Sequence, residues 1–440
     1  MKKTKRSKHT IKHLLTASVL IVSSCVNANV DTIIYAGQAL IDPLEPSRSK
    51  QTLVIDSGKV AAVYDGYRTP QSLNAPNAKV YDLKDKYVMP GLIDMHVHLA
   101  FERNPAANPH QWVTEYATDQ ALRAIPNLSK TLEAGFTSVR DLGGPHKVIF
   151  ALKRAVDNHR IIGPRIFAAG DFISATGGHG DLHGYRHDIN QLVTGGLGIC
   201  NGADDCRRAV RSVVKSGADV IKVTATGGVL SNTAAGVKQQ LTDDELAAIV
   251  TTAHSLGRKV TAHAHGTEGI NAAIKAGVNS IEHGSYLNKA SIELFKQHGT
   301  YLVPTLLAGA TVTEEAKSNP KMPAAIVDKV KQVAPVMKEA FQKALKHKIN
   351  IAFGTDSGVS RHGTNAKEAE LMVAYGMSEK QVLVSATVSA AKLLGQEHNL
   401  GRLNTGMNAD IIALNKNPEH DIRALQQVPF VMKAGIVYKE

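Results

Sequence analysis

The chain has 440 residues, of which 43% are hydrophobic and 20% charged, which excludes a wholly disordered protein and allows one large domain beside a smaller one. Its formal net charge is +12, but six of the cations and no acidic residue fall within the first 28 residues, which leaves a body near +6. No stripe of Lys and Arg interleaved with aromatic residues is present, so a nucleic-acid-binding protein is disfavoured.

The N-terminus has the pattern of an export signal. A basic segment precedes the apolar run 14–22, which is too short to span a bilayer and fits the core of a signal peptide. Cleavage after Ala28 is one route, lipidation of Cys25 in a lipoprotein-like box is another, and an uncleaved tail is the remaining alternative. The sequence therefore predicts a signal peptide over 1–28 and a periplasmic or secreted protein, with an outer-membrane lipid anchor on Cys25 in the second case.

Short strands separated by turn residues occupy both ends of the remaining chain. Neither end shows a helical period. The apolar runs are 32–35, 52–55, 60–63 and 79–81 near the N-terminus, and 410–414, 430–433 and 435–438 near the C-terminus. We expect residues 29–87 and 397–440 to form one composite β-sandwich domain.

The middle of the chain, residues 88–396, alternates short apolar strands with amphipathic helical segments such as 243–256. The predicted strands are 88–98, 137–141, 165–173, 219–224, 259–265, 280–283, 301–305 and 350–356. Eight strands alternating with helices indicate an α/β protein with a (β/α)8 TIM barrel, and an open doubly wound sheet is the alternative. No phosphate-binding Gly-Lys-Ser/Thr loop and no Gly-x-Gly-x-x-Gly after a strand is present.

Two further cysteines flank a short polar loop in this region. The loop between Cys200 and Cys206 is Asn-Gly-Ala-Asp-Asp, and an oxidising compartment would make a local disulfide plausible. Two unlinked thiols are the alternative, and the spacing does not suggest a zinc site.

Side chains that can bind metal recur where the predicted strands end. His96 and His98 are two residues apart, so on a strand they project from the same face. The others are Lys222, His263 with His265, His283 and Asp356. Because catalytic groups in a barrel come from the C-terminal ends of different strands, we expect these side chains to converge.

The same residues carry a family resemblance. The metal-binding residues match, in order and strand position, the pattern of the amidohydrolase superfamily: His96-x-His98, Lys222, His263, His283 and Asp356. The segments Gly-Leu-Ile-Asp-x-His-x-His, Ile-Glu-His-Gly and Gly-Thr-Asp-Ser resemble its branch of imidazolonepropionase-like enzymes and Xaa-Pro or Xaa-Lys/Arg dipeptidases. The resemblance covers about 30–440 and is more specific for the superfamily than for the substrate.

The resemblance implies two divalent metal ions, most simply Zn²⁺, bridged by an N6-carboxylated Lys222. Their ligands would be His96, His98 and Asp356 for one ion, and His263 and His283 for the other. His263 and His265 face the same way on a strand, so either could bind the metal. The resemblance favours His263 and leaves His265 to contact the substrate.

The resemblance also implies a mechanism. A metal-held water of lowered pKa would attack the amide, and Asp356 would orient it and pass its proton to the leaving nitrogen. His179, after the third strand, resembles the carbonyl-polarising histidine of the family; a structural hydrogen bond is its alternative role. Tyr185 and Arg186 are candidates for gripping a substrate carboxylate, and Asp181 could be either an acidic pocket residue or a loop cap.

The predicted protein is thus an exported binuclear metal hydrolase that cleaves a peptide or N-acyl amide bond next to a C-terminal amino acid. Its substrates would be small peptides or N-acyl amino acids of the Xaa-Pro, Xaa-Lys/Arg or N-acyl aromatic class. A cyclic amidase or deaminase on the same metal site is the first alternative. An inactive metal-binding protein is the second, although the retention of Asp356 and Lys222 argues against it.

Overall fold

The computed structural model describes residues 30–105, 111–186, 188–189, 198–231 and 236–440. The predicted signal peptide, with both of its processing sites, lies outside the described residues. No helix in the described ranges is long and apolar enough to cross a membrane.

Fifteen strands are present in the described residues. They are β1 (Thr32–Ala39), β2 (Arg48–Asp56), β3 (Lys59–Asp65), β4 (Lys79–Pro90), β5 (Leu92–Val97), β6 (Phe136–Asp141), β7 (Arg165–Ala168), β8 (Val220–Thr224), β9 (Lys259–Ala264), β10 (Ser280–His283), β11 (Tyr301–Val303), β12 (Asn350–Ile351), β13 (Ile411–Leu414), β14 (Phe430–Lys433) and β15 (Ile436–Lys439).

The described α-helices are α1 (Gln111–Thr114), α2 (Ala117–Glu133), α3 (His146–Asp157), α4 (Ala203–Ser216), α5 (Asp243–Ser255), α6 (Thr267–Ala276), α7 (Lys289–His298), α8 (Leu306–Ser318), α9 (Ala324–Lys346), α10 (Lys367–Ala374), α11 (Glu379–Val384) and α12 (Ala390–Leu394). Two 3-10 turns (Gln71–Leu73 and Ile422–Gln426) and a π-helical turn (Ser385–Ser389) complete the helical elements.

The two ends of the chain build one sheet. It has seven strands in the order β15-β14-β13-β4-β1-β2-β3, and β13 pairs antiparallel with β4, with Ile411 opposite Pro90. The two ends of the sheet are joined through Ala409, so the sheet curls around its own core. The Ala409 N–H donates to the Gly58 carbonyl in the β2–β3 turn, and the Ala409 carbonyl accepts from the Gly435 N–H in the β14–β15 turn. Each of the seven apolar runs predicted at the chain ends lies in or overlaps one of these strands.

The middle of the chain forms a (β/α)8 barrel. Strands β5-β6-β7 and β8 to β12 make two parallel sheets, and parallel bridges join them at both seams. At one seam Ile173, beyond β7, pairs with Val223 of β8, and its N–H donates to the Lys222 carbonyl at 2.8 Å. At the other, Val97 of β5 pairs with Ser357, beyond β12. The strands therefore close on themselves, which excludes the open doubly wound sheet.

The first predicted barrel strand, 88–98, is two strands that belong to different sheets. β4 ends in the sheet of the termini at Pro90, beyond residue 87 where that domain was predicted to end, and β5 begins the barrel at Leu92. The chain passes from one sheet to the other at Gly91. Glycine is needed there because a Cβ would lie 2.2 Å from Thr137 Oγ1 of β6. The last barrel strand is shorter than predicted: β12 ends at Ile351, and the chain beyond it turns towards β5.

Cys200 and Cys206 are joined by a disulfide that closes the loop leading into α4. Both cysteines are fully buried. The bridge thus ties the segment after β7, where Ser174 pairs with Ile199, to the first turn of the helix.

Replacing both cysteines with alanine is expected to lower the free energy of unfolding by about 2 kcal/mol. The reason is that the disulfide closes a short loop in the unfolded chain and so reduces the conformational entropy of that state. The check is urea denaturation followed by circular dichroism. Wild-type protein in reducing agent is the control and should unfold at the same urea midpoint as the double variant. An unchanged midpoint in the double variant would show that the bridge contributes nothing.

Candidate metal centre

The predicted metal-binding side chains meet at one end of the barrel. His96, Lys222, His263 and His283 stand at the C-terminal ends of β5, β8, β9 and β10, and Asp356 follows β12. Because all the barrel strands are parallel, these ends open on the same side. There the side chains form the floor of a cavity of about 210 Å³, which restricts its occupants to small molecules.

One group of possible ligands consists of His96, His98 and Asp356. The Nε2 atoms of His96 and His98 lie 3.4 and 3.1 Å from Asp356 Oδ1. His98 Nδ1 lies 2.7 Å from the Gly143 carbonyl oxygen, which can only accept, so Nδ1 carries a proton and Nε2 presents its lone pair to the group. Glu282 Oε2 lies 2.9 Å from His96 Nδ1, which places the carboxylate charge beside that nitrogen and leaves His96 Nε2 to face the group.

This first group fits a divalent cation. Asp356 Oδ1 is buried and makes no hydrogen bond to any described residue, although two imidazole nitrogens face it. Burial lowers the pKa of His96 to about 4, so its imidazole is neutral at neutral pH. Lone pairs that converge without a proton between them repel, and a cation among them removes the repulsion.

The second group consists of His263, His265 and His283, whose ligand atoms lie within 4.8 Å of one another. His283 Nδ1 is 2.7 Å from the Thr305 hydroxyl, which itself donates to the Pro304 carbonyl, so Nε2 of His283 is free to bind a metal. Burial holds the pKa of both His263 and His283 well below the usual value. These imidazoles are therefore neutral and suited to bind a metal such as zinc.

His265 remains a second possibility beside His263. Its Nδ1 lies 2.7 Å from Ser285 Oγ, and its ring stacks on His283 with centroids 4.8 Å apart. The structure thus places His263 and His265 in one cluster, and the choice between them as ligand stays a prediction.

Lys222 lies at the first group with its ammonium buried. Its Nζ is 3.4 Å from His96 Nε2, and the rings of His96 and His283 are 5.3 Å apart, so the two groups adjoin. Burial lowers the pKa of Lys222 to about 8. The neutral amine, which is the form that can react, is therefore more populated at neutral pH than in an exposed lysine.

Three of the nine non-glycine residues with a positive φ among the described residues lie at this site. His283 has a φ of +71°, Thr305 of +50° and Asp356 of +58°, values that L-residues with a Cβ seldom adopt. His283 is the last residue of β10, and Thr305 and Asp356 follow β11 and β12. His283 and Asp356 belong to the two ligand groups, and Thr305 contacts His283. Strain of this kind persists where the surrounding structure holds the residue in place, and it is typical of functional sites.

A buried ion pair supports His96, and sequence reasoning missed it. Arg140 of β6 lies 2.8 Å from Glu282 Oε1 and also donates to the Met95 carbonyl at 2.7 Å. Burial alone would raise the pKa of Glu282, but Arg140 and His96 reverse this and hold it well below its usual value. The signal in the sequence was a charged residue inside each of two apolar strands, β6 and β10.

Glu282→Gln is expected to weaken zinc binding about 10- to 100-fold, because it removes the anion that orients His96 and leaves Arg140 buried without a partner. Chelator competition measures the change. Glu245→Gln is a matched control, because Glu245 is also buried but caps α5 far from the cavity, accepting from Thr242 at 2.8 Å. Equal zinc affinity in Glu282→Gln and wild type would contradict the orienting role.

His179 lines the cavity, as expected from its place after the third barrel strand. Its ring lies 4.2 Å from that of His263, and its Nδ1 hydrogen-bonds Ser231 Oγ. The backbone N–H of His179 donates to Gln240 Oε1 at 2.8 Å. Burial lowers the pKa of His179 to about 3, so the ring is neutral. It is placed to present one ring nitrogen to a bound molecule.

The predicted carboxylate-binding pair lies away from this floor. Arg186 is exposed and pairs with Asp188 at 2.9 Å, and neither it nor Tyr185 is among the described residues that line the cavity. Asp181 accepts from the Gly177 N–H at 2.8 Å, which is the role of a loop cap. Substrate binding by Tyr185 and Arg186 therefore stays a prediction without support from this geometry.

A (β/α)8 barrel with two groups of imidazoles and a carboxylate at its C-terminal mouth defines a metal-dependent hydrolase. The comparisons with known proteins agree. The chain belongs to the amidohydrolase family, whose profile matches residues 87–438, so the superfamily predicted from the motifs is confirmed. It is a hydrolase of amide bonds, in a family that binds divalent metals.

Its relatives span nearly the whole chain. It is 32% identical to ochratoxinase of Aspergillus niger over 96% of this chain and 89% of that protein. It is similar to the crystal structure of a Xaa-Pro dipeptidase with bound methionine in the active site, with a TM-score of 0.86, 38% identity and coverage of 93% and 100% of the two chains. A prolidase complexed with N-methylphosphonate-L-proline matches with a TM-score of 0.84, 31% identity and coverage of 93% and 99%.

Proposed function

We propose that this protein is an exported binuclear metallopeptidase that hydrolyses a peptide or N-acyl amide bond next to a C-terminal amino acid. The observation that carries the proposal is the pair of adjoining ligand groups with Lys222 beside them, at the floor of a cavity that His179 also lines. Two structural relatives support the substrate class, because one binds methionine and the other a proline phosphonate.

In this proposal the ions are Zn²⁺, the first held by His96, His98 and Asp356 and the second by His263 and His283. When bound, such a cation lowers the pKa of a coordinated water from about 16 towards 7 and polarises a carbonyl oxygen. Lys222 would hold the ions as a carbamate: its neutral amine would add to carbon dioxide and release one proton, and the resulting anion would offer oxygen ligands that suit divalent cations.

The remaining steps belong to side chains of the chain itself. Asp356 accepts the proton of the attacking water on its buried carboxylate and passes it to the leaving nitrogen, which departs as a neutral amine. If Ser231 donates to His179 Nδ1, the proton of the ring lies on Nε2, and this N–H can donate a hydrogen bond to the oxygen of the scissile carbonyl. His265 is positioned to contact the substrate when it is not a ligand.

Export is part of the proposal. The N-terminal pattern supports it, and a disulfide of the kind between Cys200 and Cys206 persists in an oxidising compartment. Mass spectrometry of the mature protein should find a chain beginning at residue 29 or at a lipidated Cys25; a chain retaining its basic N-terminus would contradict export.

Metal analysis combined with a substrate panel tests the activity. The purified holoenzyme should contain about two zinc ions per chain and release the free C-terminal amino acid from dipeptides or N-acyl amino acids. Turnover of ring amides alone would instead support the cyclic amidase. Bound metal with no turnover of any amide would favour the inactive binding protein.

A further inference from the structure

The cavity above the metal centre has an apolar side. Two helices, α8 and α9, cover it with what we call the apolar wall: Ala308, Val312, Val330, Val333, Ala334 and Met337. The floor of the same cavity consists of the imidazoles, Lys222 and Asp356. A molecule held at the floor therefore extends against hydrocarbon.

The sequence explains why α9 presents this face. Val330, Val333 and Met337 follow one another at intervals of three and four residues, which places them on one side of a helix. Gly309 in α8 lets the two helices approach, because a Cβ there would lie 2.9 Å from Met337 Sδ. The wall is thus a packed surface of two helices.

The cavity offers no partner to a substrate cation. Among the described residues that line it, Asp356 alone carries a carboxylate, and that carboxylate belongs to the first ligand group. Asp356 and the proposed carbamate on Lys222 would both be bound to the ions, so a lysine or arginine side chain held here would be buried without an opposite charge of its own, which is strongly unfavourable.

A buried lysine also disfavours a cationic substrate side chain. Lys329, one residue before Val330, donates from Nζ to the Gly228 carbonyl at 3.0 Å and to the Ser231 carbonyl. No carboxylate of the described residues pairs with it. Its positive charge therefore remains beside the loop that carries Ser231, and it repels a second cation.

We propose that the substrate carries an apolar side chain or acyl group that the apolar wall binds, and that dipeptides with a lysine or arginine side chain are poor substrates. The inference rests on the proposed amide hydrolysis and selects among its substrate classes. Each buried methylene group should improve kcat/KM about fourfold, because that is the gain from removing it from water.

The test is a set of dipeptides with Ala, Leu, Phe or Lys at each position, cleaved by zinc-loaded wild-type enzyme. At one position or both, Leu and Phe should exceed Ala at least tenfold in kcat/KM, and Lys should fall below Ala. Lysine peptides cleaved as well as leucine peptides would overturn the inference and leave the proposed function intact. No cleavage of any peptide or N-acyl amino acid by the two-zinc enzyme would overturn the proposed function itself.

Two wall variants locate the effect. Ala334→Phe fills the cavity, and Val333→Ala removes hydrocarbon from the wall, so each should reduce the Phe-to-Ala ratio of kcat/KM, the first at least tenfold. Ala325→Phe is the matched control, because Ala325 is exposed near the start of the same helix and should leave the ratio unchanged. An unchanged ratio in both folded wall variants would show that α8 and α9 do not select the substrate.

Discussion

Lys222→Ala is expected to reduce bound zinc from two ions to one or fewer and to lower kcat/KM at least a thousandfold, a loss of about 4 kcal/mol of transition-state stabilisation. The reason is that the proposed carbamate supplies an oxygen ligand to each ion and offsets their mutual repulsion. Metal analysis and steady-state kinetics on the same samples measure both effects.

Lys222→Arg separates a carbamate from a simple positive charge. Arginine keeps the cation but cannot lose its proton at any accessible pH, so it cannot react with carbon dioxide. We expect the same loss as in Lys222→Ala, whereas Lys275→Ala on the exposed side of α6 should behave as wild type. Activity retained in Lys222→Arg would rule out the bridging carbamate.

Asp356→Asn is expected to keep much of the metal and to lose roughly 10²- to 10⁴-fold in kcat, because the amide oxygen can still bind a cation but cannot take up a proton. The backbone should tolerate the change, since asparagine is among the residues most often found at a positive φ such as the +58° of Asp356. Zinc content and kcat are the two measurements.

The control for this variant is Asp204→Asn, on the exposed first turn of α4. It should change neither zinc content nor kcat. Near-normal turnover in Asp356→Asn would contradict the proton-transfer role, while loss of metal together with activity would reduce Asp356 to a ligand.

Much of the fold was predictable because it depends on local pattern. The alternation of apolar strands with helices predicted the barrel, the predicted run 410–414 overlaps β13, and the run 430–433 coincides with β14. The break between β4 and β5 was not predictable, because the sequence is apolar on both sides of Gly91. What fixes the break is the distant Thr137, against which only a glycine fits.

The site was likewise predictable only in part. The two-residue spacing of His96 and His98 and the ends of parallel strands were enough to bring the metal-binding residues together. The partners that orient them come from elsewhere in the chain: Arg140 and Glu282 are 142 residues apart and meet only through the barrel. Helical periodicity likewise predicts that one face of α9 is buried, but not that this face covers a cavity.

The central claim is that two metal ions lie at the mouth of the barrel with Lys222 between them. A crystal structure of the zinc-loaded protein, with anomalous scattering measured at the zinc edge, tests it most directly. The account predicts two peaks, one among His96, His98 and Asp356 and one beside His283, with planar density extending from Lys222 Nζ to both. A single peak, or two peaks with an unmodified Lys222 turned away from them, would contradict it.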